Sequence, residues 1–300
     1  MSTTAPVPSS RSQQHLRESM LTEEVLRSFA ATPDTRIRDL LQSLVRHTHD
    51  FVRENCLTES EWEAAIDFLR RCGDITSDNR QEFILLSDVL GISMQTVNVN
   101  QTAVAGATEP TVFGPFFIEG APRIELGGDI AQGAHGEPCW VQGKVTSTRG
   151  NPIAGARIEV WEADDEGFYD VQRDDHATAG RGHLYTDAAG RFRFWGITPT
   201  PYPIPHDGPV GEMLATTLRS PMRAAHLHFM VSAPGHRRLV THIFVAEDEL
   251  LATDAVFGVK QSLVLTFERH PIGTPTPDGR LISSTWSEVT FDIVLAGAAT

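Results

Sequence analysis

The sequence predicts a mainly β protein with a helical N-terminal domain, its core an antiparallel β-sandwich. Three observations carry that prediction. Apolar residues recur at three and four over roughly the first third, short alternating runs replace them beyond about residue 105, and the turn residues Gly and Pro gather in that second part. Residues 1 to about 18 are rich in Ser, Thr, Pro and Gln and read as a flexible arm. Residues 19–105 read as a helical domain. In TRIRDLLQSLVRHTHDFVREN, Ile37, Leu40, Leu41, Leu44, Val45, Phe51 and Val52 fall on a helical period. TESEWEAAIDFLRRCG opens with Thr58 three residues before Glu61, a capping box, places Trp62, Ile66 and Leu69 on one face, and meets a stop at Gly73. A third helix is expected in NRQEFILLSDVLG, closing at Gly91. Residues 106–300 read as the β-sandwich, with strands in WVQGKVTS, ARIEVWEA, GRFRFWGI, AHLHFMVS, RLVTHIFVA and SEVTFDIVLA.

Composition narrows the function. The chain has 300 residues, 40% of them hydrophobic and 21% charged, enough for a proper core. A formal net charge of −14 argues against a protein that holds nucleic acid or anionic membrane by charge. Three widely spaced cysteines, Cys56, Cys72 and Cys139, describe neither a disulfide framework nor a thiolate zinc site and suit a reducing cytoplasm. The first residues hold no apolar signal region, and no run approaches the roughly 18 apolar residues of a membrane helix.

The P-loop, the dinucleotide fingerprint, H-E-x-x-H and G-x-S-x-G are all absent, and attention falls on residues 161–228. His226-x-His228 lies in a run of strand character, so alternation puts both imidazoles on one face, close enough for one metal. By itself such a pair is more often two half-buried histidines with backbone partners. Tyrosine usage sharpens it. Tyr169 ends a Gly-Phe-Tyr-Asp turn directly after a strand, and Tyr202 lies between Pro201 and Pro203. A tyrosine held by prolines reads as a packing lid as readily as a ligand, and Tyr185 looks like an ordinary strand aromatic. Two phenolates with two imidazoles nevertheless make a ligand set. Phenolate is a hard anionic donor that favours a trivalent ion, so Fe(III) is expected, and two tyrosinates plus one hydroxide neutralise it.

These segments carry a family resemblance. FILLSDVLG, VFGPFF, WEADDEGFYD, YPIPHDGPVG, R-x-x-H-L-H-F and SAPGHRRLVTHIF stand in order from about residue 22 to the C-terminus. The sequence resembles the intradiol ring-cleaving dioxygenases, the catechol 1,2-dioxygenase group. The resemblance implies a helical dimerisation domain on a β-sandwich, a homodimer with a phospholipid at its interface, and one non-haem Fe(III) held by Tyr169, Tyr202, His226 and His228. It implies an aromatic diol and O2 as substrates, with Tyr202 leaving the metal to take a proton and Arg223 stabilising negative charge on the ring. Catechol-cleaving members carry glutamine where this chain has His242, which leaves the role of His242 open.

Positions 81, 84, 85 and 88 share a helical face, which places Asp88 beside Ile84 and Leu85. From pattern alone Asp88 is a surface carboxylate. The resemblance turns it toward the substrate, because this helix borders the ring in the family. The hydroxyquinol-cleaving branch matches best, with Leu85, Asp88 and Val112 lining the ring and Phe113, Gly114, Pro115, Ile204 and Pro205 among the remaining walls. An acid there accepts a hydrogen bond from a third ring hydroxyl. His206 and Asp207 in PHDGPVG serve turn chemistry or binding equally well. The expected activity is cleavage of benzene-1,2,4-triol to 3-hydroxy-cis,cis-muconate or its tautomer maleylacetate. The rivals are catechol or chlorocatechol cleavage, a transthyretin-like binding sandwich suggested by GNPIAGARIEVWEA, and, more distantly, a zinc hydrolase on the same His pair.

Overall fold

The computed structural model describes residues 10–77, 80–100, 104–173 and 177–298. They form five helices, α1 (Ser10–Ser28), α2 (Thr35–Glu54), α3 (Glu59–Ile75), α4 (Glu82–Val89) and α5 (Ile92–Asn100), before the first strand. The strands β1 (Pro138–Ser147), β2 (Arg157–Trp161), β3 (Arg181–Tyr185), β4 (Arg191–Ile197) and β5 (Tyr202–Pro203) precede a sixth helix, α6 (Pro209–Thr216). β6 (Met222–Arg223), β7 (His226–Ser232), β8 (Leu239–Val245), β9 (Val264–Leu265), β10 (Glu268–His270), β11 (Trp286–Thr290) and β12 (Ile293–Leu295) complete the chain.

Two compact units result, one reaching Leu69 and one running from Arg70 onward. α4 and α5 belong to the sheet-bearing unit. The expected arm shrinks. Residues 10–18 are the first half of α1, because helix formers such as Gln, Leu, Arg and Glu follow the Ser/Pro-rich start; residues 1–9 of that arm lie outside the described residues. In the first unit α2 is capped by Asp34, whose carboxylate accepts from the Ile37 N–H at 3.0 Å. Thr22 ties α1 to α2 through His49 Nδ1 at 2.9 Å and the Arg53 guanidinium at 2.9 Å. Thr58 and Glu61 form the expected reciprocal cap, with the Thr58 N–H donating to Glu61 Oε2 at 2.9 Å. Gly73 is not the end of α3. The helix runs to Ile75 and closes on Thr76, whose hydroxyl donates to the Cys72 carbonyl at 2.7 Å. The helix that closes at Gly91 begins at Glu82, and Asn79 of the segment expected there lies outside the described residues.

The β region packs two five-stranded sheets. One runs β10-β11-β1-β12 with β4 on the other edge of β1, the second runs β3-β2-β7-β8-β9, and β5 and β6 form a small ribbon. Between the large sheets lies a core that includes Val141, Ile158, Phe194, Leu227, Phe229, Ile243 and Ile293, all essentially fully buried. The sandwich is mixed where an all-antiparallel one was expected: β1 pairs parallel with β11 and β12, and β8 pairs parallel with β9. Short hairpin connections enforce antiparallel pairing, whereas the C-terminal strands reach β1 after a long excursion and are free to run alongside it. The step from β11 to β12 along β1 requires a glycine. A Cβ on Gly143 would sit 1.9 Å from the Phe291 carbonyl oxygen.

Candidate metal centre and active site

Strand register assembles the site on the face of the second sheet turned away from the sandwich core. In β7, Leu227, Phe229 and Val231 enter the core, so alternation sends His226 and His228 to the other face. His228 pairs across the sheet with Trp161 of β2 and His242 of β8. Trp161 stacks on His228, with centroids 4.7 Å apart and planes at 17°. The β5–β6 ribbon places Tyr202 directly opposite Arg223. Tyr169 is delivered by a tight turn in which Asp164 Oδ1 accepts from the Glu166 and Phe168 N–H groups at 3.1 and 3.0 Å. Gly167, at φ +87°, is confined by both its backbone and its neighbour, since a Cβ there would meet Tyr202 Cβ at 2.6 Å. A buried ion pair between Asp170 and Arg181 anchors this turn, and Arg181 also donates to the Phe116 carbonyl at 3.3 Å while the Phe116 ring stacks on Tyr169 at 4.5 Å.

The four polar tips close into a ring. Tyr169 Oη lies 3.0 Å from Tyr202 Oη, Tyr202 Oη 3.3 Å from His226 Nε2, His226 Nε2 3.2 Å from His228 Nε2, and His228 Nε2 3.0 Å from Tyr169 Oη. Donors about 2.1 Å from a common centre, at 90–105° to each other, are spaced by about 3.0–3.3 Å, so this ring fits one metal ion. All four residues are buried. His226 Nδ1 lies 2.6 Å from the Ala224 carbonyl, which can only accept, so Nδ1 holds the proton and Nε2 keeps its lone pair for the ring. Burial, then Arg223, depresses the His226 pKa to about 3. Burial likewise holds His228 and His242 well below the usual histidine range, so all three imidazoles are neutral donors. Burial raises both phenols, Tyr169 further still through its neighbour Tyr202. A cation in the ring reverses that preference, because two buried phenolates then meet positive charge.

Arg223 borders this ring, with Nη1 2.9 Å from His226 Nε2. Its Nε donates to Asp254 Oδ1 at 3.1 Å, and Asp254 Oδ2 accepts from the Gly258 N–H at 2.8 Å. Burial works to raise the Asp254 pKa, but Arg223, His226 and the Gly258 N–H outweigh it and hold it below the ordinary carboxylate range. Arg223 Nη2 is buried and without a partner.

A narrow cleft opens over the ring. Its walls are Leu85 and Asp88 from α4, Val112, Gly114, Pro115 and Phe116 from one loop, Ile204, Val256, Tyr202, Arg223 and His228. Of the expected wall residues, Phe113 lies outside it, packed against Phe117 and Trp161. Pro205 lies in an outer cavity of about 550 Å³ that shares Leu85, Pro115, Phe116 and Ile204 with the cleft. Asp88 is buried on α4 with Leu85, Glu82 and Val89, while Ile84 faces outward. The expected face is rotated because the short helix buries 82, 85, 88 and 89 instead of 81, 84, 85 and 88. Burial raises the Asp88 pKa, and the Ser93 hydroxyl and Arg223 pull against that rise. Asp207 pairs with Arg80 at 2.8 Å, His206 Nδ1 bonds the Ile204 carbonyl at 3.1 Å, and both residues line the outer cavity. Val256, Asp254 and Arg181 carry no signal in the sequence that would have singled them out.

Residues 112–297 match the family model described as Dioxygenase, and residues 34–108 match that described as Catechol dioxygenase N terminus. The chain is 66% identical to the hydroxyquinol 1,2-dioxygenase of Nocardioides simplex over 286 residues, 95% of this chain and 98% of that protein. It is 61% identical to the enzyme of the same name from Rhodococcus opacus, with 95% of each chain covered. The solved structure of hydroxyquinol 1,2-dioxygenase from Pseudomonas putida DLL-E4 superposes with a TM-score of 0.86 at 42% identity, over 95% of this chain and 100% of that one. Matched along nearly its whole length in sequence and in fold, the chain is an enzyme that acts on an aromatic substrate with O2, and it belongs to the intradiol ring-cleaving dioxygenases.

Proposed function

We propose that the enzyme cleaves benzene-1,2,4-triol between its adjacent hydroxyls, giving 3-hydroxy-cis,cis-muconate or maleylacetate, at an Fe(III) held by Tyr169, Tyr202, His226 and His228. The closed ring of two phenols and two imidazoles carries this reading. Its two hard anionic donors favour a trivalent ion over zinc or copper. A ferric ion there supplies Lewis acidity toward the paired hydroxyls of the substrate. Tyr202, on its two-residue ribbon, takes a substrate proton at Oη. Arg223, fixed by Asp254, holds its guanidinium at the cleft wall where negative charge collects as the ring gains keto character. Leu85, Val112, Gly114, Pro115, Phe116, Ile204 and Val256 exclude water and hold the ring flat. Both oxygen atoms of O2 enter the product, one in each new carboxyl group.

Asp88 supports the choice of substrate, together with the names of the relatives. A buried carboxylate that shares the cleft wall with Leu85, Val112, Ile204 and Val256 accepts a hydrogen bond from the third hydroxyl and is costly against a bare or chlorinated ring. A hydrogen bond to a charged acceptor contributes about 1.5–3 kcal/mol, about ten- to a hundred-fold in specificity. Asp88→Ala is expected to lower kcat/KM for benzenetriol by that factor while sparing catechol. An unchanged ratio of the two substrates would remove Asp88 from the recognition of the third hydroxyl.

The first unit leaves Ile37, Leu40, Leu44, Phe51, Val52, Trp62, Ile66 and Leu69 exposed, which supports a homodimer through this helical region with a phospholipid on the same apolar surface. Sedimentation at micromolar concentration is expected to give the dimer mass, and organic extraction to release the lipid; a lipid-free monomer would contradict both. The three cysteines are free thiols, which supports the cytoplasm as the location. Among the described residues no helix is long and apolar enough to cross a membrane.

A further inference from the structure

His242 has no place in the four-donor ring, yet it is the only residue among those described with two side-chain polar atoms both buried and both without a hydrogen-bond partner. Buried polar groups are nearly always satisfied, and a neutral imidazole with neither nitrogen paired is a group built for a ligand. Its register partner across the sheet is His228, and the two rings meet edge to face with centroids 4.1 Å apart. One nitrogen from each of His226, His228 and His242 lies within 4.8 Å of the others.

We propose that His226, His228 and His242 form a three-imidazole site that takes a divalent cation in the metal-free chain, with Tyr169 and Tyr202 outside its coordination. The proposal shares two residues with the ferric centre proposed above and rests on that centre being a metal site. Donor chemistry separates the two modes. Imidazole suits Zn²⁺, Co²⁺ and other divalent ions, whereas the phenolate pair favours a trivalent one. Three imidazoles with one open position are a complete protein donor set for a tetrahedral divalent ion. Two donors of a tetrahedral ion about 2.1 Å away stand about 3.4 Å apart, so the triad closes when its widest pair approaches by up to about 1.4 Å. Asp254 neutralises Arg223, the one cationic group among the described residues that hydrogen-bonds the triad, through His226 Nε2. Because His226 and His228 belong to both sets, a divalent ion in the triad blocks loading of the ferric centre.

The test uses the full chain stripped of metal and titrated with CoCl2, read by visible d–d absorption. That absorption strengthens when Co²⁺ moves from six-coordinate water to a four-coordinate site. One Co²⁺ per chain is expected, displaced by ZnCl2. His242→Gln and His242→Asn are expected to bind Co²⁺ about a hundred-fold more weakly, while the Tyr169→Phe/Tyr202→Phe double variant binds within about three-fold of the parent. Circular dichroism identifies the variants that are folded. His242→Gln loaded with Fe(III) keeps its iron and its tyrosinate colour, which separates this proposal from the ferric one. Unchanged Co²⁺ binding in both His242 variants, or loss of Co²⁺ from the tyrosine double variant, would overturn the three-imidazole site. Loss of both Co²⁺ and ferric iron from His242→Gln would place His242 in the ferric centre and overturn the division into two modes.

Discussion

Replacing His228 by Ala is expected to release the iron, from about one ion per chain to a small fraction of that, and turnover falls with it. His228 supplies one corner of the donor ring, and its neighbours cannot close the gap: Trp161 is stacked against its face, Tyr169 Oη is 3.0 Å away, and His226 Nε2 is already pinned through Ala224. Water entering the cavity is a poorer donor than imidazole for an ion surrounded by two phenolates. His226→Ala is expected to behave alike, and it also deprives Arg223 of its contact at 2.9 Å. His206→Ala, at a turn histidine bonded to the Ile204 carbonyl, serves as the control and keeps its iron. Iron analysis and the visible spectrum of each purified variant check this. Full iron content and full colour in both ring variants would remove the pair from the centre.

Tyr202→Phe is expected to retain part of the iron and lose turnover by about 10²–10⁴-fold, the range for loss of a positioned proton acceptor. Tyr202 sits on a two-residue ribbon paired only with Met222 and Arg223, whereas Tyr169 is held by the Asp164 turn, the Asp170–Arg181 pair and the Phe116 ring. On the proposed reading, Tyr202 is the ligand expected to move when substrate arrives. Tyr169→Phe is therefore expected to shift the tyrosinate band of both the free and the substrate-bound enzyme, and Tyr202→Phe only that of the free form. The check is a pair of spectra, recorded with and without benzenetriol under anaerobic conditions. Identical responses of the two variants would erase the distinction.

The parts of the molecule legible in the sequence are those where one short pattern fixes both geometry and chemistry. His226-x-His228 on a strand must share a face, and a tyrosine between two prolines must sit outside helix and central sheet, as it does on the two-stranded β5–β6 ribbon. The capping box at Thr58 was equally plain. Non-local pairing was not legible. Nothing in SEVTFDIVLA says that it runs parallel to β1, because orientation is set by a long connection and not by local composition. Asp254 sits in an unremarkable loop and reaches Arg223 only through folding, 31 positions away. On α4 the expected stripe was rotated so that Ile84 faces out, since eight residues make too short a helix for periodicity to fix its angle. The start of α1 was hidden by Ser- and Pro-rich composition just upstream of good helix formers.

Oxygen uptake measured in parallel on benzene-1,2,4-triol, catechol and 4-chlorocatechol, with the ring-opened products identified, tests the central claim most directly. The account predicts about one O2 consumed per benzenetriol, the highest kcat/KM on that substrate, and a product opened between the two adjacent hydroxyls. No oxygen uptake with any of the three, or a product cleaved outside the diol, would contradict it.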